Sequence, residues 1–98
     1  MNNTKSIYFY MANLGSEMER VFSWREKGDN EAMEHACDRA TAIIDKVDIA
    51  PASDGGKELS LLKKIIEDIK SNTQNYSIQR NSMRAYFIPF VLKMMNPA

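Results

Sequence analysis

The sequence predicts an all-α protein, an antiparallel up-down four-helix bundle, on three observations. Apolar residues recur at spacings of three and four in four successive stretches. Clusters of Gly, Pro, Asn and Asp, the residues of helix caps and turns, separate those stretches. No stretch alternates apolar with polar residues, and Val, Ile and Thr do not gather between turn residues as they do in strands. Short connections place successive helices antiparallel.

The first helix is expected over about 4–27. Ile7, Met11, Leu14, Met18 and Val21, with Phe22 beside them, share one stripe at 100° per residue. Gly28 supplies a left-handed stop, and Asp29 or Asn30 caps the next helix, so the join is a tight turn. The second helix, about 30–47, repeats the period with Met33, Ala36, Cys37, Ala40, Ile43, Ile44 and Val47. Ala36 and Ala40 allow a neighbouring helix to approach closely. Residues 48–56, with Pro51, Gly55 and Gly56, form a loop. The third helix covers about 57–71, burying Leu59, Leu62, Ile65, Ile66 and Ile69, with Leu61 at the edge of the stripe.

The fourth helix starts near Ser77 or Asn81 and runs to Met95, with Met83, Phe87, Phe90, Val91 and Met94 in register. Pro89 lies inside it. Proline deletes one backbone hydrogen bond and crowds the carbonyl four residues earlier, so the helix kinks near Ala85 or splits and restarts at Pro89.

At 98 residues the chain holds one domain, 1–98. A folded chain of this size buries about 65% of its unfolded surface, enough for a core without disulfides. The balance of 44% hydrophobic and 27% charged residues excludes intrinsic disorder and collagen-like repeats. A net charge of zero removes the basic field of a general nucleic-acid binder. Cys37, the lone cysteine, has no internal disulfide partner, which suits a reducing compartment. No secretory signal pattern and no membrane-length apolar run is found, so a cytoplasmic protein is expected.

No set of residues forms a catalytic signature, and no cofactor or metal is expected. His35 shares a helix face with Glu31 and Asp38, a pattern read as a solvated face and not as a ligand set. Cys37 falls on the small apolar stripe, where a thiol behaves as a small hydrophobe. Helical RNases of the HEPN class carry an arginine followed four to six residues later by a histidine on one helix. Here nine residues and a turn separate Arg25 from His35, so that activity does not carry over. The stretch from Glu26-Lys27-Gly28-Asp29 through Ala40-Thr41-Ala42-Ile43-Ile44 is similar to the central hairpin of flagellin export chaperones. This covers under a third of the chain and rests on residues common to helical hairpins, so no function is taken from it.

Charge is unevenly placed. Residues 29–50 hold six acidic and two basic side chains, while residues 76–98 hold Arg80, Arg84 and Lys93 and no acid. Pairing within the bundle is the expected use of these charges, ahead of an acidic partner or RNA.

Two apolar features point to binding. Phe9 and Trp24 lie about 200° and 260° around the first helix from Ile7, well off its stripe, with Arg20 placed for a cation–π contact to Trp24. Within residues 85–95, nine of eleven are hydrophobic and encircle the helix, which leaves Ile88, Leu92 and Met95 facing outward. The expected function is therefore a non-enzymatic interaction or adaptor module. It acts as a homodimer through the fourth helix, with Phe9, Arg20, Trp24, Ile88, Leu92 and Met95 as interface residues and Arg80, Arg84 and Lys93 at the rim. The alternative is a small-molecule binder, or an enzyme, with Tyr10, Met83, Arg84 and Tyr86 around a pocket between helices.

Overall fold

A computed structural model describes residues 6–95, apart from the side chain of Met94. It contains α1 (Ile7–Lys27), α2 (Asn30–Lys46), α3 (Asp54–Ser71) and α4 (Arg80–Met95), and no strand among the described residues. The expected start of the first helix at residue 4, and Met94 as a packing residue, lie outside what is described.

The ends of the helices follow from their caps. Ser6 Oγ accepts the Phe9 N–H at 3.2 Å to open α1. Gly28, at φ 76°, closes it, and the N–H groups of Gly28 and Asp29 donate to the Arg25 and Trp24 carbonyls. Asp29 in turn accepts the Ala32 N–H at 3.0 Å and opens α2. The loop after α2 is shorter than expected. Ser53 caps α3 by accepting the Gly56 N–H at 3.0 Å, so Gly55 and Gly56 belong to the first helical turn. The reason is packing: a Cβ on Gly56 would collide with the Ala50 carbonyl oxygen and lie 2.8 Å from Pro51 Cα.

Helix α4 runs unbroken through Pro89, which sets aside the split at that residue. The carbonyl that loses its partner belongs to Ala85, an exposed residue whose carbonyl water can reach.

Side-chain pairs fix the directions of the helices. Glu17 meets Arg39, Asp38 meets Lys70, and Asp45 meets Lys63; Gly15 lies against Phe87 and Glu19 meets Arg84. Rising numbers on one helix meet falling numbers on the next, as antiparallel neighbours require. Packing joins α1 to α2, α1 to α4 and α2 to α3, in the order α3–α2–α1–α4. The core is built where they meet, with Leu14, Met18, Val21, Cys37 and Ile66 almost wholly buried. No Cα of α3 comes within 8 Å of a Cα of α4. The bundle is therefore open along that seam.

Candidate interaction surface

Helix α4 sits on α1 through a narrow contact. A Cβ on Gly15 would stand 2.9 Å from Phe87 Cβ and Cγ, so the glycine is what lets the two backbones approach. Met83 and Phe87 are buried on this inner side, and Tyr86, Phe90 and Val91 are half-buried beside them. Ile88, Leu92 and Met95 follow at spacings of four and three, which places them on one outer stripe. They remain 49%, 55% and 69% exposed. This uncovered apolar row is the arc expected from the sequence.

Beside the row, on the same side of the molecule, Ala12, Gly15 and Ser16 of α1 and Arg84, Ile88 and Val91 of α4 border a cleft of about 150 Å³. An apolar hollow of ~150 Å³ holds a benzene ring, so this one is matched to a single aliphatic side chain. One face thus carries both protruding side chains and a recess of complementary size.

Of the three residues expected at a basic rim, Arg80 and Arg84 are occupied within the subunit. Arg84 makes a two-pronged contact with Glu19, Nε to Oε2 at 3.1 Å and Nη2 to Oε1 at 2.8 Å. Arg80 reaches Glu19 Oε1 at 3.2 Å and Glu26 Oε1 at 2.7 Å. The hydrogen bond from Arg84, joined by Arg80, holds the Glu19 carboxyl below its ordinary pKa against the opposing effect of burial. Two of the three C-terminal charges, Arg80 and Arg84, therefore pair inside the bundle, with α1 and not with acidic α2. Asp38 and Asp45 of α2 pair instead with Lys70 and Lys63, each at 2.7 Å.

The six expected interface residues fall into two places. Phe9, at the exposed edge of α1, is level with the last turns of α4 in the antiparallel register, and its ring meets Tyr10 edge-on at 5.7 Å. Trp24 is level with the start of α4, about 18 Å from Leu92 along the helix axis. It packs partly against the core, and the cation over its ring is Lys27, at 4.9 Å, and not Arg20. Arg20 pairs with Glu17 at 3.1 Å, a closer and fully charged partner one turn away.

The four expected pocket residues do not converge. Met83 and Tyr86 line a groove between α3 and α4, whereas Arg84 turns toward α1 and Tyr10 is not on the groove wall. The groove consists of two adjoining apolar hollows of about 180 and 190 Å³, with Glu58 and Tyr86 on the wall of both and Ile7 and Met11 of α1 and Ile49 of the loop before α3 closing the first. The sequence points to a pocket between helices and to Met83 and Tyr86 in it, but not to the wall formed by Leu61, off the α3 stripe, and by Ile49 in the loop. His35, Glu31 and Asp38 all face solvent, and no cluster of three or more His, Cys, Asp or Glu among the described residues is placed to hold a metal. No described helix is long and apolar enough to cross a membrane.

Set against protein-family models, curated proteins and solved structures, the chain matches none.

Proposed function

We propose that the protein is a non-enzymatic interaction module that works as a homodimer, its copies meeting through the outer arc of α4. The observation that carries this reading is the row Ile88, Leu92 and Met95, 49–69% exposed on a helix whose other side already packs on α1. Covering such a row adds about 3 kcal/mol per copy at ordinary transfer values. The adjoining cleft makes the face self-complementary: Leu92 of each copy enters the recess of the other, as a two-fold interface requires. Lys93, exposed beside Leu92, supplies charge at the rim. A lone buried thiol and the absence of a spanning helix among the described residues suit a cytoplasmic setting.

Sedimentation velocity tests the proposal. The wild-type chain is expected to sediment at twice its 11.2 kDa mass at micromolar concentration. Leu92→Glu is expected to give a monomer of unchanged helicity, because Leu92 is 55% exposed and contributes little to its own core. A wild-type chain that stays monomeric at ~100 µM, where even a Kd of ~10 µM leaves most copies paired, overturns the reading.

A further inference from the structure

We infer that the groove between α3 and α4 is a docking site for an amphipathic helix of a partner protein, one bearing two large apolar side chains at i and i+4 with a basic residue beside them. The inference is independent of the dimer, since the groove and the row Ile88, Leu92 and Met95 lie on opposite sides of α4.

Three observations support it. The first is size: hollows of about 180 and 190 Å³ each suit one leucine, methionine or phenylalanine side chain. The second is spacing. On α4 one hollow lies between Tyr86 and Phe90 and the other between Met83 and Tyr86, a step of about four residues or ~6 Å. Side chains at i and i+4 of a helix are separated by about the same distance, so a helix laid along the open seam seats one anchor in each hollow. The third is charge. Glu58, exposed on the wall shared by both hollows, makes no ion pair among the described residues, and the facing wall of α4 offers Ser82 as a polar side chain, the Tyr86 hydroxyl being buried. A lysine or arginine flanking the anchors completes that carboxylate.

The test titrates the isotope-labelled full chain with a stapled helical peptide of about 15 residues. The peptide is built from Ala, Gln and Lys, with Leu at i and i+4, and amide shifts are followed. Shifts confined to about 7–11, 49–65 and 82–90 are expected, with affinity falling about tenfold when either peptide Leu becomes Ala. Leu61→Glu, a change at a side chain 46% exposed on the groove wall, is expected to abolish binding while leaving the spectrum folded and the oligomeric state unchanged. Glu58→Lys weakens the Lys-bearing peptide and strengthens one in which Glu replaces those lysines. No shifts at millimolar peptide overturn the inference, as do shifts centred on Ile88 and Leu92. Dodecanoate filling the groove at lower concentration than the peptide assigns it to alkyl ligands instead. Loss of self-association in Leu61→Glu assigns it to a second copy of the chain.

Discussion

Cys37 shows how a single position can be read from its neighbours. It lies on the buried face of α2, 1% exposed, and its Sγ approaches Met33 Sδ at 3.6 Å. Burial pushes the thiol up to about 11, and the Asp38 charge adds to that. The reactive thiolate is therefore absent at neutral pH. Ellman's reagent at pH 8 is expected to leave Cys37 unmodified in the native protein and to titrate one thiol once urea unfolds it; rapid native labelling contradicts the burial. Because the folded value is raised, the neutral thiol favours the fold below the unfolded value near 9, and that contribution fades as pH climbs toward 11. This role was legible in the sequence because Cys37 shares a stripe with Ala36 and Ala40.

Asp68 was not legible. Its carboxylate is buried at the end of α3, where it accepts the Thr73 hydroxyl and the N–H groups of Asn75, at 2.8 Å, and Tyr76, at 3.0 Å. The Thr73 hydrogen bond, aided by the two backbone donors, holds it below the ordinary 3.8 against the effect of burial. A folded value below the unfolded one stabilises the protein above pH ~4, and that stabilisation disappears as pH falls through the folded value. Asp68→Asn is expected to lower the denaturation midpoint at pH 7 and to flatten its decline in acid. Equal acid slopes for the two proteins would rule this role out. The sequence shows only an acid on a helix, since the donors arrive when the loop folds back over it.

At the scale of helices, periodicity located the buried faces of α1, α2 and α3 because each has one apolar stripe between strong caps. Boundaries were less legible. The start of α3 depends on the Ser53 cap and on the fit of Gly56 beneath Ala50, neither of which a pattern of apolar residues encodes. The α1–α4 contact depends likewise on Gly15, an ordinary-looking glycine inside a helix. Gly15→Val places a branched side chain against Phe87 and is expected to cost about 1–3 kcal/mol in urea unfolding. Unchanged stability would mean that α4 is not held at this distance. The exposed row of α4 was legible from composition alone, since a helix apolar on all sides cannot hide every face against one neighbour.

At the scale of the whole molecule, the order of the helices was beyond the sequence. Short connections imply antiparallel neighbours, but α3 and α4 are joined by eight residues, 72–79, and do not close on each other. That seam arises from which helix α4 chooses, a balance between the Gly15–Phe87 fit with α1 and apolar contacts with α3. Helix α4, like α3, is held by one neighbour only, whereas α1 and α2 each pack against two. In the Leu92→Glu monomer, amides of α4 are expected to exchange with solvent faster than those of α1 and α2, through an opening cheaper than global unfolding. Uniform protection across the four helices would refute this.

That α4 is attached to α1 alone has one more consequence. When the terminal helix swings away on its eight-residue tether, the bed it vacates on α1 is identical in every molecule, Gly15 included. Two chains that open together can trade their last helices, giving an interlocked pair that separates only by reopening. Should copies also pair through the outer arc of α4 as proposed, concentrated or gently heated samples are expected to hold two kinds of pair, one leaving quickly on dilution and the other lingering.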